Sequence, residues 1–263
     1  MLANINVIRA EAGKAPWEQL TELYSSAAET FLTTFAELDH FAAERGGESG
    51  SVTPGREDAS SRRSVRSTLG PYLGVWESNQ GERFTWPSGR GPRVFVYTHR
   101  FPARDWLLDE LRRRGLPTVA YTHDLPRAAA EKLAGPTILL SAAPINIAQA
   151  AAECDIAILN SGHNSCAQFL LAGRPLLLLP IALEQGLLMR RLTSQGLAVS
   201  APPDRPPAIA AALDELLANE RYRTAAGAFA AKYAAYDSEA AQEEILSRIE
   251  GILNKKASAA SIQ

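Results

Sequence analysis

The sequence predicts an α/β protein. The expected architecture is a Rossmann-like parallel sheet of six strands, preceded by a partial, mostly helical N-terminal segment. Three observations carry this. Six short apolar runs recur at roughly 20-residue intervals: Val94–Tyr97, Thr118–Tyr121, Thr137–Leu140, Ile156–Leu159, Leu176–Leu179 and Leu197–Val199. Each is apolar throughout rather than alternating, as strands buried on both faces should be. Helical stretches fall between them, including Trp106–Arg114, Ile147–Glu153, Cys166–Ala172 and Leu187–Ser194. Strand–helix alternation of this kind makes a doubly wound parallel sheet.

In chain order, residues 1–42 do not make a domain alone. Asn4–Ala12 and Trp17–Ser25 are helical in pattern, and Thr30–Phe35 is strand-like. Residues 43–92 read as a flexible loop or linker, because Ala43–Leu69 holds Gly, Ser, Arg and acids with almost no large apolar side chain. Its Arg62, Arg63 and Arg66 make a solvated charge cluster. Trp76, Phe84 and Trp86 are expected to pack this segment onto the sheet. Residues 93–253 form the sheet domain and close with three helical stretches, Pro206–Leu217, Arg221–Tyr236 and Ser238–Leu253. Residues 254–263 are small and polar and read as a disordered tail.

Composition narrows the function classes. With 46% hydrophobic residues, 21% charged residues and a net charge of -2, the 263-residue chain is neither disordered nor built for broad nucleic-acid binding. Two cysteines, Cys154 and Cys166, make no disulfide scaffold and suit a reducing compartment. The longest apolar stretch, Pro175–Leu183, is too short to span a membrane, and the N-terminus lacks a basic start with an apolar core. The expectation is a cytoplasmic protein without a transmembrane segment.

Ligands of an open parallel sheet bind beyond the carboxyl ends of its strands. The residues that follow the apolar runs are therefore the candidates. They are His99 and Arg100 after the first, His123 after the second, Ser141 and Ala142 after the third, Asn160-Ser-Gly-His-Asn-Ser165 after the fourth, and Glu184 and Gln185 after the fifth. Gly162 allows close backbone approach or a positive φ, and Asn164 and Ser165 suit a helix cap. Free amides at that helix start favour a phosphate; an ordinary capped helix fits the same spacing. Neither the dinucleotide fingerprint nor the P-loop pattern is present. Glu184 and Gln185 suit hydrogen bonds to vicinal sugar hydroxyls, or, equally, an acid favoured by a helix dipole. No metal-ligand spacing is seen.

Pro144, Asn160-Ser-Gly-His-Asn-Ser165, Gln168, Gly173-Arg-Pro175, Pro180 and Glu184-Gln185 together resemble a known pattern. It is the C-terminal donor-binding domain of GT-B glycosyltransferases, in the group that includes UDP-glucuronosyltransferases and plant and macrolide glycosyltransferases. The resemblance covers residues 93–253 and extends more loosely into residues 4–40, which implies that residues 1–42 are a remnant of the acceptor domain. It implies inverting, metal-independent transfer of a sugar from a nucleotide-diphosphate sugar to a small-molecule acceptor hydroxyl, with the nucleotide sugar as co-substrate and no other cofactor. It implies that Gly162, Asn164 and Ser165 hold the donor diphosphate, with Asn160 and His163 beside them. Gln168 would hold the ribose, Glu184 and Gln185 the donor sugar, and Ser141 and Ala142 would lie at the base-stacking segment. His99, Arg100 and His123 would border the cleft. The departures are specific. Asn160 replaces the family's phosphate-binding histidine, Gln168 its ribose acid, Ala142 its stacking tryptophan, and His99-Arg100 its Gly-Ser. The family's acceptor domain, which carries the general base, is mostly absent from this chain, so no catalytic base is assigned. A misplaced start, a truncation, or a partner chain or homodimer that supplies the missing half are the alternatives this implies. The alternatives are a non-catalytic nucleotide-binding or accessory module derived from such an enzyme, and a sugar-nucleotide epimerase.

Overall fold

The computed structural model describes residues 1–20, 22, 27, 29–41, 69–72, 74, 81–122, 125 and 127–260. His123, Trp76 and the arginine cluster at 62–66 lie outside the described residues. Helix α1 (Leu2–Glu11) comes first, followed by a two-stranded parallel pair, β1 (Thr30–Leu32) and β2 (Leu69–Tyr72). The main sheet then runs β3 (Val94–Thr98), α2 (Arg104–Arg113), β4 (Thr118–Thr122), α3 (Arg127–Leu133), β5 (Ile138–Ser141), α4 (Ile147–Glu153) and β6 (Ile156–Leu159). It continues through α5 (His163–Leu171), β7 (Leu176–Leu178), α6 (Leu183–Ser194) and β8 (Ala198–Ser200). Three helices follow: α7 (Pro206–Ala218), α8 (Arg221–Lys232) and α9 (Ser238–Ala260).

All six predicted strands are present and every pairing is parallel, in the spatial order β5-β4-β3-β6-β7-β8. The order reverses between β3 and β6, which makes their carboxyl ends the switch point where such sheets bind ligands. Successive strand residues point to opposite faces, and both faces are covered. Phe95, Val119, Ala157, Leu159 and Leu176 pack with Ala150, Cys166, Phe169 and Leu170 on one side. Val94, Val96, Ala120, Ile156 and Ile158 pack with Leu107, Leu111, Ile209 and Leu213 on the other. That double burial is why the runs are apolar throughout rather than alternating.

Two segments outside the sheet are fastened to it. Residues 81–86 run along the start of α4. Glu82 N donates to Pro144 O at 2.8 Å, Asn146 N returns a bond to Glu82 O at 3.0 Å, and Trp86 Nε1 donates to Glu153 Oε2 at 2.8 Å. Gln149 takes both main-chain groups of Phe84. Residues 81–92 therefore pack on the sheet domain, ahead of the expected boundary at 93. Gly81 has φ +114°, and a Cβ there would sit 2.5 Å from the Ile145 carbonyl carbon, so only glycine allows the close approach.

The second fastened segment is Thr34–Phe41. Phe35 is buried against Phe229, Tyr233 and Tyr236, with ring centroids at 5.6, 4.4 and 5.0 Å. Glu37 receives Lys232 Nζ at 2.5 Å and Tyr233 Oη at 2.6 Å. Its carbonyl accepts from Arg191 and, at 2.7 Å, from Gln195. Strand β1 is shorter than the apolar run Thr30–Phe35, because the chain turns at Thr34 to make this insertion. At the other end, α9 continues through Ala260, so residues 254–260 are helical where composition predicts an irregular tail. Alanine and lysine, which dominate that stretch, are among the strongest helix formers.

Candidate functional site at the switch point

The carboxyl ends of β3 and β6 bring His99, Arg100 and Asn160–Ser165 together, as the apolar-run spacing predicts. The internal arrangement differs from expectation in three ways. Asn160 is 4% exposed and its carboxamide is turned inward. Its Oδ1 accepts from His99 N at 2.5 Å and its Nδ2 donates to Leu179 O at 2.7 Å. It ties the ends of β3, β6 and β7 together rather than pointing at a ligand.

Gly162 is not the residue with unusual backbone. Its φ is −68° and ψ 132°, and it is the N-cap of α5. The positive φ belongs to Ser161, at 65°, the one such non-glycine residue described. Ser161 is fully buried, with the Cys166 thiol of α5 beside its hydroxyl. A serine held in the left-handed region is strained, and such strain collects at functional turns. Sequence reading missed it; the signal lay in the strand-to-helix turn being only three residues long.

Helix α5 begins at His163, not later, so Asn164 and Ser165 lie in its first turn rather than capping it. No side chain caps α5. Its first amides lack intrahelical acceptors, and the helix dipole adds partial positive charge there. Asn164 is exposed and Ser165 half-buried. His163 faces inward, its Nε2 2.7 Å from Thr34 Oγ1. Burial pushes its imidazole below the ordinary value, and neighbouring His40 adds to that. His99 and Arg100 are exposed beside the same edge.

The remaining candidates spread around this centre. Gln168 is 8% exposed and lines a pocket of ≈ 200 Å³ between α4 and α5 with Ala148, Ala151, Ala152, Leu171 and Ala172. Ser141 Oγ bonds within its own turn, to Ala143 O at 2.7 Å, and Ala142 is exposed. Glu184 is exposed in the first turn of α6, while Gln185 Oε1 accepts from Ile181 N at 2.9 Å. Gln185 thus closes the start of its own helix, as a capping-box residue does. Burial pushes the Cys154 and Cys166 thiols up to about 12, so neither is a nucleophile at neutral pH. Among the described residues no group of three His, Cys, Asp or Glu is placed to hold a metal ion.

The architecture has close counterparts among solved structures. The kitacinnamycin glycosyltransferase aligns over 94% of this chain and 61% of its own, with a TM-score of 0.66 and 13% identity. CalG4, the calicheamicin glycosyltransferase, aligns over 95% and 60%, with a TM-score of 0.63 and 13% identity. The spinosyn rhamnosyltransferase SpnG aligns over 69% and 53%, with a TM-score of 0.57 and 17% identity. The fold is half of the GT-B glycosyltransferase architecture. This GT-B half spans between about half and three fifths of the length of these proteins. No protein-family profile matches the chain, and no curated protein matches its sequence. Among the described residues no helix is long and apolar enough to cross a membrane.

Proposed function

We propose that this chain is the nucleotide-sugar-binding half of a glycosyltransferase, acting in a reducing, cytoplasmic compartment. The observation that carries the reading is the uncapped start of α5 at the switch point of a GT-B half. VinC, a glycosyltransferase solved with dTDP, shares this fold at a TM-score of 0.52 and 17% identity, and it makes a nucleoside diphosphate the first ligand to test.

In this reading the amides of His163, Asn164 and Ser165 receive the diphosphate, with the Ser165 hydroxyl and exposed Arg100 supporting them. Those groups stabilise the charge that builds on the departing diphosphate as the sugar–oxygen bond breaks, without a metal. Asn160 acts one step back by holding the three strand ends in register. Gln168 holds the ribose, and Glu184 and Gln185 hold the sugar; Gln185 must first release Ile181 N. A base from an acceptor-binding half, in a partner chain or another part of a longer protein, deprotonates the acceptor hydroxyl. Transfer then proceeds with inversion.

The commitment of the Asn160 and Gln185 side chains to main-chain groups favours a second reading, a nucleotide-binding module without turnover. Thermal unfolding against nucleoside diphosphates and their sugars tests both. A ligand at about 100 times its Kd adds roughly 2.7 kcal/mol, several degrees for a protein of this size. A shift with one nucleotide that weakens in Ser165→Ala and Arg100→Ala supports donor binding; sugar release in the presence of an acceptor-binding partner then separates enzyme from module. No shift with any nucleotide, in a cooperatively unfolding chain, overturns the donor site.

A further inference from the structure

Thr34 is a hydroxyl held against an imidazole at the start of α5. Its Oγ1 lies 2.7 Å from Nε2 of His163, the first residue of that helix. Its other neighbour, Phe35 O, is at 3.2 Å. A carbonyl oxygen and an unprotonated ring nitrogen both accept, so the hydroxyl proton goes to one of them, and Nε2 is the nearer. Burial, with His40 close by, holds the His163 imidazole below its ordinary value, so at neutral pH the ring is uncharged and keeps an accepting nitrogen. The main chain fixes Thr34 on both sides. Its N donates to Leu32 O and its O accepts from Gly74 N, each at 2.9 Å. The next residue, Phe35, is packed against Phe229, Tyr233 and Tyr236. Thr34 itself is only half-buried, whereas Thr98 and Ser161, the hydroxyls at the ends of β3 and β6, are sealed from solvent.

We propose that this chain glycosylates itself at Thr34, with a nucleotide-diphosphate sugar as donor and His163 as the general base. The inference rests on the donor-site reading above and adds an acceptor that the chain carries within itself. In that reading the His163 amide receives the diphosphate, so the ring of the same residue bridges from the phosphate to Thr34. The anomeric carbon is one oxygen removed from the phosphorus, which leaves it and the hydroxyl within one side chain's reach of each other. A general base must stand about 2.6–3.2 Å from the group whose proton it takes, and Nε2 does so. Thr34 Oγ1 attacks the anomeric carbon and forms the new glycosidic bond. The bond from that carbon to the diphosphate oxygen breaks, and its electron pair leaves with the nucleoside diphosphate, whose charge the α5 amides take up. The Thr34 proton moves to Nε2 and passes from the imidazolium to solvent. The products are an O-glycosylated threonine of inverted configuration and a free nucleoside diphosphate. Each chain reacts once, because the reaction consumes its own acceptor.

The test incubates the full chain with dTDP-glucose, UDP-glucose and GDP-glucose and reads its intact mass. At least one donor should add a single hexose to the chain, mapped to Thr34 by peptide fragmentation, with release of the matching nucleoside diphosphate. Thr34→Val keeps the shape of the side chain. It should bind that nucleoside diphosphate as the wild type does, by calorimetric titration, and gain no mass. Thr34→Ser keeps a hydroxyl and should be modified. His163→Gln keeps the main-chain amide and can still bond Thr34, yet should slow the modification at saturating donor by roughly hundredfold or more, which loss of a merely structural contact would not do. A hexose found on lysine alone, or added equally to Thr34→Val, overturns the inference. If a nucleoside diphosphate binds the wild type and none of the three donors modifies Thr34, this inference falls and the donor site stands. If neither the three nucleoside diphosphates nor their sugars bind the wild type, the donor-site reading falls and takes this inference with it.

Discussion

Replacing Asn160 by alanine removes two hydrogen bonds that connect three strand ends. The Leu179 carbonyl belongs to a residue with no exposure, so losing its donor at 2.7 Å carries the penalty of an unsatisfied buried group, about 1–3 kcal/mol. His99 is exposed, and its amide recruits water instead, so that loss is about 0.5–1 kcal/mol. The sum is about 2–4 kcal/mol. At roughly 2–4 °C per kcal/mol for a protein of this size, Tm should fall by about 4–16 °C. Circular dichroism melts and urea midpoints measure it. Asn160→Asp separates the two bonds. Its carboxylate still accepts from His99 but opposes the Leu179 carbonyl, so at pH 7 it should be at least as damaging as alanine. Relative to the wild type at the same pH it should recover near pH 4, where a protonated carboxyl can donate again. An Asn160→Ala protein within about 0.5 kcal/mol of the wild type would refute the bridging role and reopen the side chain as a ligand contact.

Acid should loosen the Thr34–Phe41 insertion in two stages. Burial, with His40, depresses His163, so its contribution is complete above the ordinary value of 6.5 and is lost as pH falls through its lower folded value. Glu37 follows: burial opposes its ionisation, but the bonds from Lys232 and Tyr233 outweigh that and hold it below 4.5. Its contribution is present above 4.5 and lost as pH falls through its lower folded value. Urea titrations from pH 8 to 3 should show both stages in the wild type and only the second in His163→Gln. Ser161→Gly should raise stability by about 0.5–1 kcal/mol, since relief of a left-handed serine exceeds the entropy that glycine adds to the unfolded chain; an unchanged or lower melting temperature would contradict the strain. Gly81→Ala should cost about 2 kcal/mol or more, because the new methyl group meets main chain rather than a yielding side chain, and hydrogen exchange at Glu82 and Asn146 should accelerate with it.

The sheet was legible in the sequence because double burial leaves a plain mark: Val94–Tyr97 and Ile156–Leu159 have no polar face to hide their character. The carboxyl-end edge as the place for ligands followed from the grammar of such sheets, while the strand order that makes β3 and β6 the switch point came only with the structure. What did not show was side-chain direction in the turns. Asn160 looked like a ligand residue because it sits at a strand end, yet a carboxamide there can equally serve neighbouring main-chain groups, and here it does so at both ends. Gly162 offered either close backbone approach or a positive φ; geometry gives the positive φ to Ser161, and no propensity marks a residue held in strain. Tyr97 and Tyr121 were read as part of apolar runs, since only register reveals that they stand side by side. The insertion of Phe35 and Glu37 depends on partners nearly 200 residues away, beyond the reach of any local pattern.

That separation has a consequence for how the chain is made. Thr34–Phe41 leaves the ribosome nearly 200 residues ahead of Lys232, Tyr233 and Tyr236, which grip it. Until they emerge, Phe35 and Leu38 have no complete place to bury themselves, and closing so long a loop carries an entropic cost that local contacts do not offset. The sheet can assemble strand by strand during translation, but docking of the early segment has to wait. Docking of Thr34–Phe41 therefore follows assembly of the sheet. A nascent chain stalled before residue 230 should carry an assembled sheet and an unprotected N-terminal segment.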